Sequence, residues 1–226
     1  MPPPKTPGNG FAVLELFTSE GCSSCPAADD LLAKIQQEEE GKPVYLLVYH
    51  VDYWDRQGWK DRFSNPDYSR RQMEYGHQLN AQIYTPQLIL NGDAEFVGSD
   101  EAAIREAIYG ELATLKTVTL AFQAHQDKDQ LTVHYKTGPV IKGSNIVLAL
   151  VQKNAQTNVA AGENAGHLLS HVQIVRKLRA ESINESGSGD VILDLPKGFD
   201  SISWEVLGLI QDKSNGAIKA AARAAL

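Results

Sequence analysis

The chain is 226 residues long, 42% hydrophobic and 22% charged, with a formal net charge of −7. These values describe an ordinary globular protein of one large domain or two small ones, and they speak against nucleic acid or an anionic membrane surface as partner. No basic run occurs, and no apolar stretch approaches the roughly 20 residues that span a bilayer.

Residues 1–10, MPPPKTPGNG, are rich in proline and glycine and read as a flexible or extended arm. They carry no apolar signal core, so the protein is expected either in the cytoplasm or as a sequence trimmed of its targeting segment. A continuous apolar run from Phe11 to Phe17, broken only by Glu15, predicts a buried strand. A tight turn carrying Cys22 and Cys25 follows. Ala28, Leu31, Leu32 and Ile35 share one face at helical spacing, with Pro26 in the first turn and Asp29 and Asp30 at the positive end of the helix dipole.

The chain has two cysteines, both in this turn. A thiolate is the nucleophile in disulfide exchange, and unpaired N–H groups at a helix start stabilise it. A second thiol three residues on can close an intramolecular disulfide, which is the pattern of redox chemistry. Two other readings stand beside it: half of a zinc site, and an inert structural disulfide whose small loop gives little entropic stabilisation.

A second buried strand, Val44 to His50, runs parallel to the first if the helix between them is a crossover. The polar and aromatic segment from Val51 to Asn65 leaves that strand's C-terminal end, where open α/β sheets bind ligands. His50, Asp52, Tyr53, Trp54 and Trp59 are therefore expected near the thiol turn. A helix follows from Pro66 to about Ala81, capped by Ser64 or Asn65. A hairpin pairs Gln87–Leu90 with Glu95–Val97 around Asn91-Gly92-Asp93, and a helix starts at Ser99 or Asp100.

After Leu115 helical periodicity gives way to alternating strands. TVTLAFQA, QLTVHYK, NIVLALVQK, HVQIVRKLRAES, DVILDL, ISWEVLGLIQD and GAIKAAARAAL predict seven strands and an antiparallel β-sandwich. The expected division is an arm at 1–10, an α/β domain at 11–115 and the sandwich at 116–226. Near-absence of a linker predicts that the sandwich, through the GENAGH loop in the 160s or another edge, approaches the thiol turn. His167 and His171 receive no role.

The order β-α-β-α-β-β-α, with CxxC at a helix start and Thr85-Pro86 before the third strand, resembles the thioredoxin fold. ELFTSEGCSSCPAAD, YHVDYWDRQGWKD, IYTPQLILNG and GENAGHLLSHVQIVR look like one bacterial family. It comprises thioredoxin-like secreted or periplasmic proteins of unknown function that carry the ELFTSEGCSSCP signature. That resemblance implies a thiol–disulfide oxidoreductase with Cys22 and Cys25 as its redox dithiol, a cis Pro86 facing them, and a periplasmic or secreted location. Cys22 is expected to face solvent and attack, with Cys25 buried and resolving. Departures are Gly21 for the tryptophan before the first cysteine, serines for Gly-Pro between the thiols, and an acid at Glu15, one position early. Thr85, Glu15, Glu20, His50, Asp52 and Trp54 are the supporting candidates. Glu15 is weighed as a proton shuttle for Cys25 and, alternatively, as a carboxylate satisfied by its neighbours, and Glu20 as a charge opposing the Cys22 thiolate. No cofactor beyond the dithiol is expected, and the partners are protein disulfides and thiols or a small thiol. The alternative of a different class is a Cu(I)- or Zn²⁺-binding or delivery protein using Cys22, Cys25 and His50.

Overall fold

A computed structural model of the protein describes residues 9–139 and 141–224. Residues 1–8 of the expected arm lie outside the described residues. Asn9 is not free: its side chain exchanges hydrogen bonds of 2.8 and 3.0 Å with the backbone of Lys116.

The first half runs β1 (Ala12–Thr18), α1 (Pro26–Glu38), β2 (Val44–His50), α2 (Pro66–Leu79), β3 (Gln87–Leu90), β4 (Ala94–Val97) and α3 (Glu101–Leu112). β1 pairs parallel to β2 and antiparallel to β3, and β3 returns as β4. The helices start where the chain offers caps. The Asn65 side chain accepts from the Asp67 N–H at 2.9 Å, and that of Asp100 from Ala103 at 3.2 Å. Alternation along β1 sorts its side chains onto two faces. Ala12, Leu14 and Leu16 pack against α1 and α3, while Phe11, Val13 and Phe17 join Tyr68 and Tyr75 of α2.

Seven strands follow: β5 (Thr119–Asp127), β6 (Gln130–Gly138), β7 (Ser144–Asn158), β8 (Leu168–Ser182), β9 (Ser188–Asp194), β10 (Trp204–Asp212) and β11 (Ile218–Ala224). They do not form a body with two sheets of its own, which corrects the expected self-contained sandwich. One eight-stranded mixed sheet crosses the change of pattern in the order β11-β10-β7-β8-β2-β1-β3-β4, joined at a bridge between Val48 and Ile174. A lone β2 edge would leave unpaired backbone groups beside an apolar core, and β8 covers it. The antiparallel sheet β5-β6-β9 then packs Leu131, Val133 and Leu193 against Ile146, Leu148 and Leu150 of β7 and Trp204 and Val206 of β10. The sandwich thus exists with one layer continuous with the first half. The alanine-rich end is an edge strand of that large sheet.

Among the described residues no helix is long and apolar enough to cross a membrane.

Candidate functional site

β1 ends at Thr18, and the chain turns twice before α1. The Cys22 N–H donates to the Ser19 carbonyl and the Cys25 N–H to the Cys22 carbonyl, both at 3.2 Å. Cys25 is the N-cap residue of α1, and its carbonyl accepts from Ala28 and Asp29 at 2.9 and 3.1 Å. Cys22 lies a turn earlier, outside the helix rather than within its first turn. The two sulfurs form a disulfide across a Cα–Cα distance of 5.4 Å.

Burial corrects the expected exposure of Cys22, which is 1% exposed against 0% for Cys25. Ser23 and Ser24 between them are exposed, and the Ser24 hydroxyl sits 3.4 Å from the Cys22 sulfur. The Cys22 sulfur therefore lies just beneath the surface. Over it comes the tip of the β7–β8 hairpin, closed by bonds between Val159 and His167 and between Gly166 and Val159. The Asn164 side-chain amide donates to the carbonyls of Glu20 and Cys22 at 2.9 and 3.0 Å, and the Ser23 N–H donates to Glu163 at 3.0 Å. The Ser23 hydroxyl and N–H hold the Glu163 carboxyl below its ordinary pKa. The GENAGH loop thus reaches the thiol turn.

The other rim is built from Trp54, Thr85 and Pro86. The Trp54 ring N–H donates to the Thr85 hydroxyl at 2.8 Å, and its Cβ faces Gly21, where an added Cβ would lie 3.3 Å away. The Thr85–Pro86 bond is cis. Gly98, whose N–H bonds to the Pro86 carbonyl, lets Pro86 approach α1: a Cβ there would meet Pro86 at 3.0 Å and Ala28 at 3.2 Å.

Beneath the turn is a buried polar cluster drawn from both halves of the chain. Glu20 is fully buried, and the Trp59 ring N–H donates to it at 2.7 Å. The Glu20 N–H donates to Asp61 at 2.9 Å, and Asp61 pairs with His50 Nδ1 at 2.6 Å. His50 thus takes Asp61 as its partner, whereas Asp52 accepts from the Ser69 hydroxyl at 2.5 Å on the α2 side, and Tyr53 donates to Gln72. His171, from β8, lies 3.4 Å from Glu20 and 3.5 Å from Asp29 and stacks edge-on against His50. Burial pushes its pKa down, but the Asp29 and Glu20 carboxylates outweigh that and raise it to about 9. Burial likewise works to raise Glu20, and His171, Trp59 and Thr157 bring it below its ordinary value despite the nearby Asp61. Asp61 is also lowered, its burial outweighed by His50 and by the N–H groups of Glu20 and Phe63. Glu20 is therefore not the free charge the sequence suggests.

Glu15 is removed from the dithiol altogether. It is on the β1 face opposite α1, where the Arg71 guanidinium donates to both its oxygens at 2.6 and 3.0 Å and the Tyr75 hydroxyl at 2.5 Å. It is a satisfied carboxylate across the sheet from Cys25, which rules against the shuttle reading. Among the described residues no group of three His, Cys, Asp or Glu side chains is placed to hold a metal ion, so Cys22, Cys25 and His50 are not assembled as ligands in this disulfide-bonded state.

Three residues of this site were not assigned from sequence. Asp61 is separated from His50 by an aperiodic loop, and His171 and Asn164 reach the turn only through the β7–β8 hairpin. The glycines flanking Asn164 were the available signal.

The chain is similar to the thioredoxin of Methanocaldococcus jannaschii, at 31% identity over 96 residues, 42% of this chain and 89% of that one. It is also similar to the crystal structure of a structural-genomics target protein from Agrobacterium tumefaciens, with a TM-score of 0.72 and 26% identity, covering 96% of this chain and 94% of that one. The family described as protein of unknown function (DUF1223) matches residues 13–211, and the chain belongs to that family.

Proposed function

We propose that the protein is a thiol–disulfide oxidoreductase that works through Cys22 and Cys25, with Thr85 and Pro86 on the rim that meets the partner. The observation that carries this reading is the Cys22–Cys25 disulfide set at the N-terminus of the 13-residue α1. The positive end of α1 points into the loop and favours a thiolate there. The similarity to a thioredoxin over most of that protein's length supports the same chemistry.

In the reduced protein the Cys22 thiolate attacks one sulfur of a partner disulfide, forming a mixed disulfide and expelling the partner's other sulfur as a thiolate. Cys25 then gives up its proton and attacks the Cys22 sulfur, which closes the Cys22–Cys25 bond and releases the second partner thiolate. Two electrons pass to the partner, and the two thiolates take up protons from water. The same steps in reverse oxidise a dithiol. Cys22 is the attacking residue because it precedes the helix and its sulfur lies beside the exposed Ser24, while Cys25 is the helix N-cap residue.

The test is trapping. Cys25→Ser accumulates mixed disulfides from disulfide-bearing proteins or oxidised glutathione, and Cys22→Ser does not. Equal trapping by the two variants overturns the order of attack. A native disulfide that neither exchanges with glutathione nor accepts electrons from a dithiol overturns the function.

A further inference from the structure

His171 occupies the space between the two arms of the disulfide loop. Its Nε2 is 3.4 Å from Glu20, two residues before Cys22, and its Nδ1 is 3.5 Å from Asp29, whose N–H donates to the Cys25 carbonyl. The ring is fully buried, Glu20 is too, and Asp29 is nearly so. Among the described residues neither ring nitrogen has a hydrogen-bond partner of ordinary geometry, and the two carboxylates hold the ring by opposite charge. His50 and Phe63 form the back wall, with ring centroids 4.8 and 5.6 Å away.

We propose that His171 is a positioning residue of the dithiol: by bridging Glu20 and Asp29 it sets one positive charge between the two carboxylates flanking the disulfide loop and so permits a thiolate on Cys22. This deepens the redox reading of the same site and rests on it.

The charge balance gives the reason. Reduction by a partner dithiol breaks the S–S bond, leaves a disulfide on the partner, and adds two protons and two electrons here as two thiols. Ionising Cys22 then places a negative charge two residues from a buried carboxylate. At low effective dielectric, a second negative charge on the same buried turn disfavours the ionised thiol. The imidazolium, protonated at neutral pH, is the cation that touches both carboxylates. The other charged or titratable groups packed here are Glu163 on the Ser23 N–H, His167 by the Asn164 carbonyl, Asp61 on the Glu20 N–H, His50 on Asp61, and Arg62 and Arg176, which lie over the Phe63 ring. None of these meets both arms of the loop. The arrangement also explains why β8 carries a buried histidine across from a turn more than 140 residues earlier.

The experiment follows the ultraviolet absorbance of the first thiolate to form in the reduced full-length protein as pH is raised. In His171→Gln the thiolate fraction at neutral pH falls about tenfold, and exchange with glutathione shifts toward the protein disulfide by a similar factor. Glu20→Gln moves the thiolate fraction the other way. Glu20→Gln combined with His171→Gln returns most of the loss, which a merely structural histidine would not allow. An unchanged or increased thiolate fraction in His171→Gln overturns the proposal. Should that variant not fold, an unchanged or decreased fraction in Glu20→Gln alone does the same. A wild-type protein that titrates in this way but exchanges with no disulfide defeats the oxidoreductase reading and leaves the charge relationship standing.

Discussion

The side-chain amide of Asn164 donates to the carbonyl oxygen of Cys22 at 3.0 Å, across 142 residues of sequence. The same amide holds the Glu20 carbonyl, so one buried side chain pins both ends of the turn that presents the first sulfur. The hairpin that brings it there is long because β7 and β8 are 15 residues each, about 50 Å of extended chain. Access to the disulfide is thereby linked to the position of a loop from the second half of the protein.

Asn164→Ala removes both bonds and frees the hairpin tip from the turn. Reduction of the Cys22–Cys25 disulfide by a small dithiol is expected to quicken several-fold. The loss of stability is about 1–3 kcal/mol, since two buried carbonyls lose their donor. Stopped-flow reduction beside urea denaturation checks both. An unchanged reduction rate would mean that the loop does not shield Cys22.

The Glu15–Arg71 pair is structural, so its loss should act on stability and leave the dithiol alone. Burial works against the charge on Arg71, and Glu15 outweighs it and holds the guanidinium pKa well above its ordinary value. Glu15→Gln strands that cation in a buried site, at a cost of about 3–5 kcal/mol. Denaturation should show this loss, while equilibration with glutathione gives the wild-type constant. A shifted redox constant would return Glu15 to the site.

Much of the fold was legible because local signals were strong. CxxC before Pro26, the asparagine cap at Asn65, the Asn91-Gly92 turn and seven alternating strands each carry their own physics. What the sequence could not convey was which strand edge meets which. Nothing in HVQIVRKLRAES says that it lies beside β2, so the sharing of one sheet by both halves was hidden. The same gap explains the site. Asp29 reads as a helix-dipole charge until His171 is placed opposite it, and Glu15 reads as a candidate acid until strand alternation puts it across the sheet from Cys25. Asp52 and Asp61 are equally polar on paper, and only loop geometry chooses Asp61 for His50.

A pH dependence follows from His171. Its pKa is raised in the folded protein to about 9 from an ordinary value of about 6.5. A group with a raised folded pKa contributes stability fully below its unfolded pKa and loses it as pH rises through the folded value. The oxidised protein should therefore lose on the order of 3 kcal/mol between about pH 6.5 and pH 9, with the loss levelling off just above pH 9. His171→Gln should lack this slope. Denaturation of both proteins at a series of pH values measures it, and parallel curves would show that His171 is not the group responsible.

Gly98 tests whether the approach of Pro86 to α1 matters for exchange. Its N–H bonds to the Pro86 carbonyl, and an added Cβ would lie 2.8 Å from Leu16, 3.0 Å from Pro86 and 3.2 Å from Ala28. Leu16 and Ala28 belong to the fully buried layer between β1 and α1, so they have little room to yield. Gly98→Ala must therefore push Pro86 and the end of β4 outward from the start of α1. Overpacking of this kind costs about 1–3 kcal/mol. Because Pro86 is displaced while Cys22, Cys25 and the charged cluster are untouched, equilibrium with glutathione should stay near the wild-type value. The rate of exchange with a protein disulfide, which must dock against the rim, should fall about tenfold. Equal rates in a folded Gly98→Ala protein would show that partners reach Cys22 without using the Pro86 rim.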